Sequence, residues 1–133
     1  MKGGGIVSTL DNSLRAICKM ADKKIGWQNA SPTSAFPEQD VQIPELQDYY
    51  FATIVCSYST GGYDCQEVTV STDAGSTFGM NIAGSGIARR NGNIKNGAIH
   101  FNLGNYLNSY AGNATNGAIY VIPRKVILSK RKP

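Results

Sequence analysis

The sequence predicts an all-β domain, a β-sandwich or jelly-roll-like fold with a short N-terminal helical segment, and three observations carry that expectation. Apolar and polar residues alternate over short runs such as Glu67-Val-Thr-Val-Ser71, the period of a half-buried strand. Turn chemistry separates the runs, with 15 glycines and the pairs Asn91-Gly92, Asn96-Gly97 and Asn116-Gly117. About seven short strands spaced in this way favour two packed sheets over a helical bundle.

At 133 residues the chain has the length for one domain with one core. Residues 1–26 read as an N-terminal attachment or oligomerisation segment with a short helix, and 27–133 as the β-sandwich. Residues 10–24 are the helix candidate, because Leu10, Leu14, Ile17 and Ala21 recur at helical steps behind the potential caps Asp11, Asn12 and Ser13. The same spacing fits a coiled-coil seam, but an isolated helix this short is marginal in water. It must pack on its own domain or on a sister chain, as an oligomer seam.

After Gly26 the period changes to two. Trp27 opens a polar loop broken by Pro32 and Pro37, and Val41 and Ile43 then alternate with Gln42 before Pro44 ends the strand. Residues 49–58 form the strongest strand, with Tyr50, Ala52, Ile54 and Cys56 on one face and Phe51 and Val55 on the other. A strand apolar on both faces belongs in the middle of a sheet or between core and subunit contact. Short strands are expected at 67–71, 78–82 and 87–90. The pairs at 91–92 and 96–97 then read as type I′ turns, leaving Ile94 at most a stub. Residues 98–102 follow with Ile99 and Phe101 inward, and 119–128 form the last strand, interrupted by Pro123.

The net charge of +4 is unevenly spread: Asp73 is the last acidic residue, and eight basic residues follow Ala74. Such a split attracts an anionic partner, matches one subunit to the next, or merely solubilises a tail such as Lys130-Arg131-Lys132. No apolar run is long enough to span a bilayer, and the start lacks the apolar stretch of a secretory signal. The expectation is a protein made and kept in the cytoplasm, or one that leaves it by lysis inside a particle. Three cysteines without a Cys-x-x-Cys pair favour free thiols over a disulfide framework or zinc site, although Cys56 and Cys65 flank a hairpin-like connection.

Catalytic signals are sparse. His100 is the single histidine and by alternation points away from Ile99 and Phe101. The carboxylates Glu38, Asp40, Glu45, Asp48, Asp64, Glu67 and Asp73 lie in or beside turns, where acids commonly serve turn geometry and solubility. Gly84-Ser-Gly-Ile-Ala has the spacing of neither a nucleophile elbow nor a P-loop. No catalytic residue, metal or cofactor is therefore expected.

Two stretches have the chemistry of a binding surface. Residues 104–116 form a long polar connection carrying Asn105, Tyr106, Asn108 and Tyr110, and the 57–64 loop carries Tyr58 and Tyr63 around Gly61-Gly62. Tyrosine supplies stiff contact area and asparagine supplies donors and acceptors, a mixture suited to sugar rings. The alternative is that these tyrosines pack on the barrel and the asparagines cap turns. Arg89, Arg90 and Lys95, where they lie near either loop, would add attraction for phosphate-bearing cell-wall polymers.

The stretch Trp27-Gln-Asn-Ala-Ser-Pro-Thr-Ser-Ala-Phe36 resembles the W-x-N-x-x-P-T-S-x-F entry of a C-terminal β-sandwich head domain in tail or fibre-like proteins of phages and prophages of Gram-positive hosts. Val41-Gln-Ile43, residues 49–58 and the late Ile122-Pro123 pair are similar to that domain's later features, over roughly residues 27 to 130. The resemblance implies a non-enzymatic virion component, tail-associated, that binds host-surface polysaccharide, forms a homo-oligomer with a trimer favoured, and contacts other virion proteins. No nucleic acid and no membrane insertion are expected. Because the chain is nearly all head, a structural decoration or accessory protein without receptor binding is the alternative. An enzyme accessory to wall degradation is a third class, disfavoured by the single histidine and unpaired acids.

Overall fold

The computed structural model describes residues 23–61, 65–84, 86–107 and 114–130. They form ten strands and one short 3-10 turn in two antiparallel sheets, the all-β sandwich that the alternation predicts. In chain order these are β1 (Lys23–Gln28), β2 (Gln39–Gln42), the turn Leu46–Asp48, β3 (Phe51–Ser59), β4 (Gln66–Ser71), β5 (Thr77–Ala83) and β6 (Ile87–Lys95). There follow β7 (Ala98–Phe101), β8 (Asn105–Leu107), β9 (Ala114–Asn116) and β10 (Tyr120–Ser129). One sheet has the order β1-β10-β3-β4. The other runs β2-β7-β6-β8-β9, with β5 also paired to β6.

The core lies between the sheets and is built from alternate residues. Ala52, Ile54 and Cys56 of β3 and Val126 and Leu128 of β10 face Phe78, Met80 and Ile82 of β5, Ala88 and Ile94 of β6, and Ile99 and Phe101 of β7. β3 sits between β10 and β4, the interior place its two apolar faces predict. Phe101 is the hub of an aromatic cluster, with Trp27, Phe36 and Phe78 at centroid distances of 6.5, 5.5 and 5.6 Å. Trp27 and Phe36 also meet each other at 6.1 Å. Both ends of the Trp27-to-Phe36 stretch are thus drawn onto the same ring, which closes one end of the sandwich.

Several sequence expectations are corrected. The helical candidate with Leu10, Leu14, Ile17 and Ala21 lies outside the described residues, but Lys23 and Lys24 belong to β1, paired with Ser129 and Leu128 of β10. β1 therefore crosses the position placed as a boundary between residues 26 and 27. Asn91-Gly92 is no turn: both residues lie inside β6, and Ile94 is buried in that strand. Glycine at 92 serves close approach, because a Cβ there would stand 2.2 Å from the His100 carbonyl and 2.5 Å from the Phe78 ring. The Asn96-Gly97 turn is real, but only Gly97 takes a left-handed φ, at 69°, so it is not type I′. Residues 104–116 contain the β8–β9 hairpin rather than an unstructured connection.

Pro123 fits inside β10 because the register slips there. The ladder to β3 shifts between Pro123 and Lys125, the bulge that lets a proline sit in an interior strand without breaking the sheet. Cys56 is a buried free thiol, its pKa pushed by burial up to about 12, and Cys65 is an exposed one.

The charge of Arg90 suggests a binding residue, but the structure buries it, at 1% exposure. Its Nε donates to the Val121 carbonyl at 2.6 Å and Nη1 to the Asn102 carbonyl at 2.6 Å. Nη2 donates to the carbonyls of Phe36 at 3.0 Å, Tyr120 at 2.9 Å and, at the limit, Ala118 at 3.5 Å. The guanidinium also lies over the Phe36 ring, 5.3 Å from its centroid. Burial pulls its pKa down to about 10, which leaves it cationic at neutral pH. Val121, a β-branched residue with φ at 51°, is held in that strained conformation with its carbonyl on Arg90.

Arg90→Met is expected to lower unfolding free energy in urea by about 3–5 kcal/mol, because it leaves several buried carbonyls without a donor. Arg90→Lys should recover less than half of that loss, since one ammonium cannot reproduce the fork. Full recovery by lysine would show that charge alone matters.

Candidate functional site

The outer face of the second sheet is polar, and strand alternation puts it there. In β6, Ala88, Arg90, Gly92 and Ile94 are buried, so Ile87, Arg89, Asn91, Asn93 and Lys95 face out. The register with neighbouring strands extends this set into two rows. One runs Asn81 (β5), Arg89 (β6), Asn105 (β8) and Asn116 (β9). The other runs Thr77 (β5), Asn93 (β6), His100 (β7) and Asp40 (β2).

Between the rows the edge of β6 changes partner, from β7 opposite Gly92–Lys95 to β8 opposite Ile87–Arg89. The chain crosses this gap through Asn102, Leu103 and Gly104, and the Asn102 amide donates to the Asn91 carbonyl at 2.8 Å. A depression of about 150 Å³ opens there, lined by Arg89, Arg90, Asn91, Asn102, Leu103 and Asn105. Arg89 Nε donates to Asn105 Oδ1 at 3.0 Å, which fixes both side chains at the rim. Leu103 is 38% exposed and adds an aliphatic wall. The site offers amide donors and acceptors, a guanidinium and one apolar surface. That is an inventory for hydroxyl-bearing ligands.

Of the residues singled out from the sequence, Arg89 and Asn105 come together here. Arg90 reaches the site only from beneath, through its bond to the Asn102 carbonyl. Tyr106 lies in β8 and stacks on Tyr120 at 5.1 Å and 17°, so one ring face is already covered. Tyr58 lies in β3 rather than in a loop, half-buried against the core, with its ring over Gly84 where a Cβ would come within 2.6 Å. Its buried hydroxyl has no hydrogen-bond partner among the described residues. Tyr63, Asn108 and Tyr110 lie outside the described residues. The structure adds Asn81, Asn91, Asn102 and Asn116 to the site, of which alternation along β5 and β6 marks the first two in the sequence.

The second row holds an ionic cluster. His100 Nδ1 meets Asp40 Oδ1 at 2.7 Å and Nε2 meets Glu38 Oε2 at 3.0 Å, while Lys95 pairs with Asp40 at 2.9 Å. Two carboxylate acceptors on one ring favour the imidazolium, in which both nitrogens donate. The hydrogen bond to Asp40, opposed by partial burial and aided by that to Glu38, raises the His100 pKa above 6.5. Asp40 is held below its ordinary value by its hydrogen bonds to Lys95 and His100. With both nitrogens engaged, His100 has none left to take a proton from a substrate. Lys95 is likewise committed to Asp40 rather than open for an anion. Among the described residues no cluster of His, Cys, Asp and Glu has the make-up of a metal site.

No family model matches the chain, and no curated protein or solved structure matches it either.

In NMR titration, the His100 ring should show a midpoint above 6.5, falling in Asp40→Asn and Glu38→Gln. A pKa raised in the folded state stabilises the fold fully below the unfolded value, and that contribution fades as pH rises through the folded value. A midpoint at or below the free-histidine value would remove the cluster as described.

Proposed function

We propose that this chain is a non-enzymatic virion component, a phage or prophage tail head that binds host-surface glycan on the outer face of its second sheet. The observation that carries the reading is the row Asn81–Arg89–Asn105–Asn116 beside the polar depression at the β7–β8 crossing. Four amide or guanidinium groups on successive strands form a flat ladder of directional donors and acceptors. Sugar hydroxyls recognised one by one call for that kind of surface, and Leu103 supplies contact for an apolar sugar face. The resemblance of residues 27–36 to a tail-protein head supports the same reading, and that stretch anchors the sandwich through Trp27 and Phe36. The binding set centres on Arg89 and Asn105, while Arg90 belongs to the core. A trimer, localisation to the virion and contacts with other tail proteins belong to this proposal.

A second reading, a structural decoration protein without receptor binding, draws on Ile25. This residue is 50% exposed on β1, an edge strand of the first sheet, where a neighbouring subunit would cover it.

The test is binding of purified protein to Gram-positive cell-wall polysaccharide fractions, with solution mass measured alongside. The double variant Arg89→Ala with Asn105→Ala should lose at least about tenfold in affinity, as expected for lost charge-assisted hydrogen bonds, with its thermal midpoint within a few degrees of wild type. Equal binding by both proteins would remove this face from the proposal. Wild-type protein that incorporates into particles yet binds no wall fraction would favour the decoration reading.

A further inference from the structure

The first sheet carries a cavity of its own. It has a volume of about 270 Å³ and is lined by Arg124, Lys125, Gln28, Asn29 and the free thiol of Cys65, with Pro32 and Val55 as apolar walls. Strict alternation along β10 would send Arg124 and Lys125 to opposite faces. The bulge between Pro123 and Lys125 suspends that alternation, and both side chains are half-buried and line the one cavity. Asn29 braces the irregularity: its Nδ2 donates to the Pro123 carbonyl at 2.8 Å and its backbone amide to the Arg124 carbonyl at 2.8 Å. Its Oδ1 accepts from the Ser31 amide at 2.8 Å, so the brace is itself fixed.

Among the described residues the charges at this cavity are unbalanced. Lys24 pairs with Glu45, Lys95 with Asp40, and His100 with Asp40 and Glu38, while Arg89 and Arg90 donate to an amide oxygen and to backbone carbonyls. Among the described residues, neither Arg124 nor Lys125 has a carboxylate partner, and no carboxylate lines the cavity. Across the strands the row runs Gln28, Lys125, Val55 and Glu67, which leaves Glu67 two strands away from Lys125. Two adjacent cations in a partly desolvated recess attract an oxyanion more strongly than exposed ones would, and a guanidinium beside amide donors matches phosphate oxygens.

We propose that this cavity binds a phosphate group carried on a small polyol or sugar, with the cations on the phosphate and the Pro32–Val55 side on the organic moiety. The site is on the other sheet from Arg89 and Asn105, so it stands or falls separately from the glycan proposal.

The test is titration of isotope-labelled full-length protein with inorganic phosphate and with glycerol 3-phosphate, followed by NMR, with chloride at matched ionic strength as the control. Saturable shifts at Gln28, Asn29, Arg124 and Lys125 are expected, with glycerol 3-phosphate binding more tightly than inorganic phosphate. Arg124→Gln and Lys125→Gln should each weaken binding by at least about tenfold, Lys125→Arg should retain it, and Arg89→Ala should leave it unchanged. Shifts reproduced by chloride, or affinity unchanged in both glutamine variants, would overturn the site. Equal affinity for the two phosphates would overturn the role of the apolar walls.

Discussion

The guanidinium of Arg90 draws on backbone carbonyls at Phe36, Asn102, Ala118, Tyr120 and Val121, which come from three stretches of chain besides its own strand. These are the loop before β2, the crossing from β7 to β8, and the turn leading into β10. The Ala118 carbonyl also accepts from the Phe36 amide at 2.8 Å, but buried carbonyls left without any donor would be costly. One planar cation with five donors satisfies them together, and its charge is spread over their partial negative ends rather than met by a carboxylate. The seams of the sandwich at this end are joined by that one side chain.

The site on the outer face follows from this arrangement. Arg90 fixes Asn102 from below while the Asn102 amide bonds the Asn91 carbonyl, so the crossing is held open at the point where β6 changes partner. Arg89, the next residue, points the other way by the pleat and becomes the centre of the polar row. Adjacent arginines thus serve opposite ends, one binding the fold together and one presented to solvent. The bulge in β10 does the reverse on the other sheet, turning two consecutive basic residues towards one cavity.

Much of the architecture was legible in the residues. Alternation located β2, β3, β4, β5 and β7, the two apolar faces of β3 put it in a sheet interior, and Ile99 and Phe101 were read as inward. Illegible were features whose cause lies across the core. Gly92 imitates a turn residue but is small because the Phe78 ring and the His100 carbonyl press on it. Tyr58 and Tyr106 have the composition of a binding loop, and Gly84 and Tyr120 turn them into packing residues. Arg89 and Arg90 are chemically identical, so no local rule separates them.

The sequence by itself determined the fold class, the alternating faces and the stock of amide, tyrosine and basic groups, because these depend on periods of two and on turn chemistry that act within a few residues. Tertiary structure alone decided which arginine is buried, where the asparagines line up across strands, and how the Pro123 bulge gathers Arg124 and Lys125. Those outcomes depend on register between strands distant in sequence and on which buried carbonyls lack a donor, and both are settled only when the sheets have packed.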